Sequence, residues 1–420
     1  MSQTQPTRGV AIEVYKRRRT ETSSDEDEPD PKDKKPTGTR VKLTQKLPRD
    51  SLTPKLMDIR PRLACQRKLY AGAPVNVALR GMIRRLKEIY ELEIHPGDKQ
   101  RAYVARNVGY MLSRMTVNLA RSSLDTFRSN CSKIKGGGHF VTSCGEFLES
   151  MERGDDPPDC ERLQAAAGDP KVKALGILRN ISGVGLVTAE LLYDNFGCST
   201  IADVRRIDAK SPRPEGWPIT AFSRKGVANY EDWLVRIPRS EVAQVWEIVR
   251  AQAALADPTA EGLVAGSYRR GQSSCGDIDV LWKTAKRPFI SLLVKRLHDV
   301  GFLVDDLTDP KETAQDSEMY MGVYRLGNGP TRRIDIKSYK PRDYAFALLY
   351  FTGDAHFGTS MRKWAGWLGW SLSDKGLIPV KRDHEYTKTY RGASVVCSAE
   401  DDIFNALGLK YVSPTDRGCK

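Results

Sequence analysis

From Asn76 onward the chain has the pattern of an amphipathic helix. Apolar residues recur three or four positions apart, a spacing that puts them on one helix face. The residues of this face are Leu79, Met82, Ile83, Leu86, Ile89 and Tyr90. The same spacing predicts helices over residues 103–113 and 141–151 and, after a linker-like Asp-Asp-Pro-Pro stretch at 155–158, a helical block to about residue 235.

Beyond residue 235 the apolar period changes from that of a helix to that of a strand. Short β-rich runs at 276–282, 321–326 and 333–338 alternate with helical patterns at 239–256 and 289–300. This order predicts an α+β fold, in which a helical front end precedes a module built on a mixed β-sheet.

Residues 1–75 differ in composition from the rest of the chain. They hold 17 basic and 10 acidic residues, are interrupted by prolines and show no period, so we expect a disordered basic tail. The basic cluster at 16–19 precedes an acidic serine patch at 23–28, a combination that suits nuclear import under phosphorylation control. A merely solvated run of charges explains the same residues equally well.

The whole chain carries a net charge of +14, so an acidic polymer is the first partner to consider. No stretch of about 18 apolar residues occurs, so no membrane span is expected. The first thirty residues have no apolar h-region, which argues against secretion. The eight cysteines include no CxxC pair and the five histidines show no ligand spacing, so we interpret the cysteines as reduced thiols.

The most informative segment is 266–282. Gly266 and Ser267 predict a turn with free backbone N–H groups that suit a phosphate, and Arg270 can add a forked contact to the same anion. If Asp277 and Asp279 lie on one strand, its period of two aims both carboxylates at the same face. Two carboxylates on one exposed face repel each other unless a cation such as Mg²⁺ sits between them.

A third acid, Asp335, stands between Ile334 and Ile336, where a second strand is expected. Three carboxylates from two strands can hold two ions about 3.5–4 Å apart, the arrangement of in-line phosphoryl transfer. The alternative is that Asp277 and Asp279 are turn or surface acids. The phosphate-binding turn and the third acid weigh against that alternative.

At these residues the sequence resembles the family X DNA polymerases, within the wider nucleotidyltransferase superfamily. GSYRRG…CGDID at 266–279 and RRIDI at 332–336 resemble two palm motifs, and the Tyr-Phe-Thr-Gly at 350–353 resembles a nucleotide-pocket motif. The resemblance covers about residues 76–420 and is closest to the beta and lambda branch. It implies a lyase-like helical domain with a helix-hairpin-helix over 76–155, a helical DNA-binding subdomain over 165–235, a nucleotidyltransferase palm with a mixed β-sheet over 236–340, and a small α/β C-terminal nucleotide-selection subdomain over 341–420.

The resemblance also implies roles for single residues. Asp277 and Asp279 would ligate both metals, Mg²⁺ or Mn²⁺, and Asp335 would ligate the catalytic metal beside the primer 3′-hydroxyl. Tyr350 and Phe351 would press on the sugar of the incoming dNTP. The other implied residues of the nucleotide pocket are Arg236, Gly266, Ser267, Arg270, Gly276, Arg333 and Gly353.

One position departs from the beta and lambda pattern. Eight residues past the position of Tyr350, those relatives have an Asn that contacts the minor-groove edge of the incoming base, whereas this chain has Gly358. A hydrogen-bond donor is lost and the backbone is loosened. We therefore expect weaker base checking and lower fidelity. Nearby, Arg362 matches a residue that contacts the template strand.

Residues 181–185, Ile-Ser-Gly-Val-Gly, followed by a helical pattern over 186–194, predict a helix-hairpin-helix. Gly183 and Gly185 would let the backbone approach a DNA phosphate closely. A plain tight turn explains the two glycines nearly as well. Their place about 90 residues before the acids favours the helix-hairpin-helix. By resemblance, the hairpin would bind K⁺ or Na⁺ through the carbonyls of Arg179, Ile181 and Val184.

An earlier copy of such a hairpin lies at 134–139. Together with residues 97–102 it resembles the small lyase domain of the family. Gly136 and Gly138 would approach DNA, and Arg101 would bind a 5′-phosphate.

The lyase domain lacks its expected nucleophile. Lyase-active members carry a Schiff-base Lys on the helix after this hairpin, where this chain has Cys144, with Phe140 at a nearby basic position. A thiol cannot form the imine with an abasic-site aldehyde, so we expect 5′-deoxyribose-phosphate lyase activity to be lost. Lys133 or Lys135 could substitute.

Three functions are compatible with these residues. The first is template-directed gap filling on gapped or nicked DNA by a nuclear, monomeric enzyme of base excision repair or end joining. The second is template-independent nucleotide transfer to DNA ends or RNA, favoured by Gly358 and disfavoured by Tyr350 and Phe351, because that branch usually has a Gly-Trp there. The third is a DNA-end binding module with an inactive palm, against which the three acids argue.

Overall fold

The computed structural model describes residues 64–66 and 76–417, with gaps at 93, 95–96, 114, 116, 132–133, 135, 309–310, 313–316 and 383–387. Over these residues the chain has an α+β fold, as the hydrophobic pattern predicts. Within the described part, no helix combines the length and the apolar character that crossing a membrane requires.

The first helices pack around one apolar core. Leu79, Ile83, Val108 and Val141 are buried there together. The second helix begins five residues earlier than predicted, and the fourth begins directly after Gly136, whose left-handed backbone (φ 87°) turns the chain into it. The helices of this unit are α1 (Val77–Tyr90), α2 (Asp98–Ser113), α3 (Leu124–Cys131), α4 (Gly137–Arg153) and α5 (Glu161–Gly168).

The next helices form a second core, centred on Leu175, Ile181, Leu192 and Val204. Asp169 caps the first of them, because its side chain accepts hydrogen bonds from the N–H groups of residues 171 and 172. These helices are α6 (Pro170–Leu178), α7 (Leu186–Asp194), α8 (Ile201–Asp208), α9 (Ala221–Ala228) and α10 (Tyr230–Leu234). α7 has the bounds that the sequence predicts.

A mixed sheet and two helices form the centre of the molecule. The strands are β1 (Ile237–Pro238), β2 (Glu261–Val264), β3 (Ser274–Cys275), β4 (Ile278–Lys283), β5 (Leu303–Asp306), β6 (Lys311–Glu312), β7 (Ser317–Arg325) and β8 (Thr331–Tyr339). The main sheet has the order β2-β4-β8-β7-β5, with β6 beside β7, while β1 pairs separately with β3. Its core packs against α11 (Arg239–Ala256) and α13 (Ile290–Asp299), and the short helix α12 (Gly266–Arg269) follows β2.

Among the described strands of this sheet, β4 and β8 run parallel to each other and the other neighbouring pairs are antiparallel. In β8 the buried Ile334 and Ile336 alternate with more exposed polar positions, so one face contributes to the core and the other is polar. The register sets Ile278 opposite Ile334 and Asp279 opposite Asp335.

The C-terminal part packs on the other side of the sheet. Ala347 of its first helix is buried together with Leu281 and Tyr339 of the sheet. A separate apolar core, which includes Phe346, Trp364 and Phe404, lies between its own elements. These elements are α14 (Pro341–Thr352), α15 (Ala355–Trp367), β9 (Trp370–Ser373), β10 (Gly376–Arg382), β11 (Lys388–Tyr390) and α16 (Glu400–Ala406).

Residues 64–66 differ from the disordered tail expected for 1–75, the rest of which lies outside the described residues. They form a 3-10 turn in which Cys65 is fully buried in the C-terminal core. The Cys65 N–H donates to Ser360 Oγ (3.2 Å), and the Gln66 side chain exchanges two hydrogen bonds with the Lys410 backbone (2.8 and 2.9 Å). The sequence around Cys65 is basic and lacks a period, so only the packing of a distant core reveals this contact.

We expect Cys65→Ser to destabilise the C-terminal core by about 1–3 kcal/mol, because folding would move a hydroxyl group from water into an apolar core. Gln66→Ala is the matched comparison: its hydrogen bonds are exposed and should contribute less, about 0.5–1.5 kcal/mol. Urea unfolding of the full chain measures both. Equal stability of Cys65→Ser and the unaltered chain would show that this turn does not belong to the core.

Candidate active site

The three acids lie where β4 begins beside the middle of β8. Asp279 and Asp335 are register partners on neighbouring parallel strands, whose backbones lie about 4.8 Å apart. The sequence predicts Asp277 on the same strand as Asp279. In the structure, Asp277 instead lies in the bend between β3 and β4. The strand predicted over 276–282 instead begins at Ile278 and ends at Lys283, after the separate short strand β3, which pairs with β1.

Two basic residues of β8 neutralise these acids. Lys337 Nζ lies 2.9 Å from Asp335 Oδ2 and 3.5 Å from Asp279 Oδ1, and the side chain is only 9% exposed. Arg333 Nη2 donates to Asp277 Oδ2 at 2.9 Å. Because the side chains of residues 333, 335 and 337 share one strand face, the same period that exposes the acid also supplies its counter-ions.

Burial raises the pKa of Asp279, and the charges of Asp277 and Asp335 raise it further, while the ammonium of Lys337 opposes both. Burial alone would lower the pKa of Lys337, but the two carboxylates outweigh it and raise that pKa. The described residues contain no group of three acidic, His or Cys side chains already arranged around one ion. The clustered oxygen donors nevertheless fit a hard divalent cation, which would compete with Lys337 for the carboxylates of Asp279 and Asp335.

Gly266 lies directly against the site. The residue begins α12 after β2. Its φ is +52°, and a Cβ atom placed on it would lie 2.4 Å from Asp279 Oδ2. Glycine is therefore needed here for the backbone conformation and for the position of the carboxylate.

The predicted phosphate-contacting arginines hold backbone carbonyls. Arg270 Nη1 donates to the carbonyls of Thr352 and Gly353 (2.9 and 3.3 Å). Arg236 donates to the hydroxyl and the carbonyl of Ser274 (2.8 and 2.6 Å). Ser267 and Gly276 are close in the chain to these contacts. The arginines thus link the acid-bearing segment to the end of α14 and to β3.

Tyr350 and Phe351 lie near the end of α14, where their rings are 5.0 Å apart. Tyr350 is 41% exposed, whereas Phe351 is half-buried, with Lys337 Nζ 4.6 Å from the centre of its ring. Arg362 lies over the Tyr350 ring at 5.6 Å. The two aromatic residues therefore differ: one faces outward and the other contacts the counter-ion of the acids.

Gly358 is in the first turn of α15, after the N-cap residue Asp354, and its φ is not in the left-handed region. A Cβ atom there would meet Arg362 Nη1 at 3.5 Å, an ordinary contact. The position can therefore accept a larger side chain without strain.

The hairpin at 181–185 has both of its glycines exposed at the surface. Gly183 has φ +84°, and a Cβ atom there would lie 2.5 Å from the Phe222 ring. Gly185 is exposed and has open space around it. Among the three expected cation-binding carbonyls, that of Ile181 also accepts the Val184 N–H at 3.0 Å, while Arg179 caps α6.

The earlier hairpin has a similar left-handed glycine at 136, followed by Gly138 within α4. Arg101 is paired with Asp98 at 2.6 Å. Cys144 is fully buried, and burial raises the pKa of its thiol to about 12; Phe140 is buried beside it. Lys133 and Lys135 lie outside the described residues.

Two groups of residues were missed by the sequence analysis. Lys337 could have been found, because it continues the polar face of Arg333 and Asp335. Glu400 had no sequence signal: it is buried in α16, 2.7 Å from Arg269 and 2.5 Å from the fully buried Arg417. Arg269 also donates to Thr352 Oγ1 at 2.6 Å, so this ion-paired cluster joins the C-terminal part to α12.

Comparisons with known proteins match two parts of the chain to family models. Residues 236–341 match the DNA polymerase beta palm, and residues 347–418 match the DNA polymerase beta thumb.

Similar proteins cover more of the chain. It is 32% identical over 351 residues to DNA polymerase lambda of Rattus norvegicus, which is 81% of this chain and 56% of that protein. It is 31% identical over 267 residues to DNA polymerase lambda of Arabidopsis thaliana (61% and 48%). It is 26% identical over 318 residues to human DNA-directed DNA/RNA polymerase mu (68% and 60%). The matched segments span about half the length of these relatives.

We expect Gly266→Ala to destabilise the protein by about 1–3 kcal/mol, the cost of a left-handed non-glycine residue, and to displace the Asp279 carboxylate. Gly276→Ala is the control, since its φ is not left-handed and its Cβ would meet nothing nearer than 4.0 Å. Chemical denaturation of both variants measures the difference. If both substitutions lower the free energy of unfolding equally, neither the left-handed backbone of Gly266 nor its closeness to Asp279 matters for stability.

Proposed function

Because the chain belongs to the family X DNA polymerases, we propose that it is a DNA-directed DNA polymerase that fills gaps in double-stranded DNA during repair. The observation that carries this proposal is the register pairing of Asp279 with Asp335, with Asp277 beside them. Such a set of carboxylates suits nucleotidyl transfer from a dNTP to a primer end.

The three acids would hold the divalent metals that family X polymerases use, Mg²⁺ or Mn²⁺. Bound there, such ions neutralise the phosphate oxygens and lower the pKa of an attacking hydroxyl. Asp335 would orient the primer 3′-hydroxyl. Lys337 would keep Asp279 and Asp335 paired until the substrates are bound, and its ion pairs would then be exchanged for metal ligation. Arg333 would stay on Asp277 Oδ2 and help order the site.

The incoming dNTP would lie between the acids and the end of α14. Tyr350 and Phe351 would contact its sugar and, through their bulk, select against a 2′-hydroxyl. The α12 turn at Gly266 and Ser267, with Gly276 and Gly353, would approach its phosphates through backbone N–H groups. Arg236 and Arg270 would release the carbonyls that they hold in this state and contact the β and γ phosphates.

DNA would be held on both sides of the site. Gly183 and Gly185 would approach one backbone phosphate, with K⁺ or Na⁺ on the carbonyls of the same hairpin, and Arg362 would contact the template strand. Across the gap, the hairpin at Gly136 and Gly138 and the guanidinium of Arg101 would bind the 5′ end. We further propose that the enzyme acts as a monomer in the nucleus, with the import signal in the basic cluster at 16–19.

A template-independent transferase is the second candidate. The observation in its favour is Gly358, which removes a side chain from the base-checking position. Comparing the extension of single-stranded and gapped primers by the full chain decides between the two. Preferential extension of the single strand would favour the transferase.

Asp335→Ala should reduce primer extension on gapped DNA by about a thousandfold or more, since it removes a ligand that acts at the reacting atoms. Binding of the same DNA, measured by fluorescence anisotropy, should be retained. This result would exclude a binding module with an inactive palm. If the unaltered chain extends no primer with Mg²⁺ or Mn²⁺, the proposed function is wrong.

Gly358→Asn should lower the misinsertion rate, because an amide donor would stand beside Arg362 and the nascent base pair. The control is Gly358→Ala, which also removes a helical glycine but adds no donor. Single-nucleotide insertion with correct and incorrect dNTPs measures the ratio. An unchanged ratio in the Asn variant would contradict the role of this position.

The chain should lack 5′-deoxyribose-phosphate lyase activity, because Cys144 is a buried, neutral thiol with no amine to form the imine. Borohydride reduction in the presence of 5′-deoxyribose-phosphate DNA should trap no covalent adduct. Efficient trapping that disappears in Lys133→Ala or Lys135→Ala would show that a neighbouring lysine has taken over the role.

A further inference from the structure

We propose that Ser182, in the DNA-binding hairpin, is a positioning residue for Asp277 and acts through Arg333. The inference rests on the proposed function and adds a connection to it: the hairpin that would hold DNA also fixes the first acid of the catalytic set. The guanidinium of Arg333 is the connecting group. It donates from Nη2 to Asp277 Oδ2 at 2.9 Å and from Nη1 to Ser182 Oγ at 3.3 Å.

The guanidinium suits this role because its N–H groups form a rigid planar fork. A side chain held at both ends of the fork cannot rotate without breaking one contact. The ring of Trp233 restrains it further, with its centre 5.8 Å from Arg333 Cζ. Without Ser182 Oγ, Arg333 would keep its charge pairing to Asp277 but lose the second contact that fixes its direction.

Ser182 itself is held firmly by α9. A Cβ atom on Gly226 would lie 2.5 Å from the Ser182 carbonyl oxygen, so the helix and the hairpin are in close backbone contact. The Ser223 hydroxyl donates to the Gly183 carbonyl at 3.1 Å. Lys225 on the same helix pairs with Asp305 of β5 at 2.6 Å. The hairpin therefore has a defined position relative to the sheet.

The strand that carries Arg333 joins the same helical unit at two preceding residues. Thr331 bonds to Asp232 through its N–H (2.8 Å) and its hydroxyl (2.7 Å). Arg332 donates to the carbonyls of Asp232 and Val235 (2.9 and 2.6 Å). Thus three consecutive residues of β8 contact the helical unit, and only one residue, Ile334, separates the last of them from Asp335. A shift of the hairpin upon DNA binding would therefore move Arg333 and change the position of Asp277.

Ser182→Ala tests the connection. The Mg²⁺ concentration for half-maximal gap filling should rise about tenfold, the lower end of the cost of losing a partner that orients a metal ligand. The Mg²⁺ concentration that raises the melting temperature of the DNA-free protein should rise in parallel. Affinity for gapped DNA should stay within about twofold of the unaltered chain, as for a loss outside the phosphate contacts.

Three comparisons make the result specific. Ser182→Thr keeps the hydroxyl and should restore the Mg²⁺ dependence. Gly185→Ala, in open space on the same hairpin, should weaken DNA binding without changing the Mg²⁺ dependence. In an Arg333→Ala background, Ser182→Ala should have no further effect, because the pair acts as a unit.

The inference fails if Ser182→Ala leaves both Mg²⁺ measurements unchanged, or if its effect persists without Arg333. A chain that extends no primer under any condition instead removes the proposed function. The melting measurements in Mg²⁺ still report on the contact in that case.

Discussion

Asp279 and Asp335 are held side by side by the register of two parallel strands, so their charges repel unless a cation lies between them. In this state Lys337 is that cation, and Arg333 has the same role for Asp277. Because the sheet backbone fixes the carboxylates, their repulsion cannot be relieved by moving apart. In the proposed function, divalent metal ions would take the place of Lys337 between Asp279 and Asp335.

The same cations reach beyond the acids. Lys337 contacts Phe351 near the end of α14, and Arg333 contacts Ser182 of the hairpin. Each counter-ion thus touches a different neighbouring unit. A change at the acids would therefore alter contacts to both units.

The C-terminal part is joined to the site by a second buried cluster. Glu400 is shared between Arg269 and Arg417, and burial would raise its pKa, but the hydrogen bonds and charges of the two arginines outweigh this and lower it. Removing one partner of such a buried ion pair strongly destabilises the fold, since the other charge would stay buried without a partner. The turn at Cys65 adds a contact from far earlier in the chain. The position of Tyr350 and Phe351 thus depends on residues distant in sequence.

The sequence alone determined the class of fold, because the hydrophobic period changes from helix to strand near residue 235, and it predicted Asp277, Asp279 and Asp335 as the candidate metal-binding acids. It could not determine that β4 and β8 are parallel neighbours in this register, since pairing depends on how the whole sheet folds. Nor could it reveal the burial of Cys65 or the Arg333–Ser182 contact. Such contacts join residues more than a hundred positions apart, and no local pattern records them.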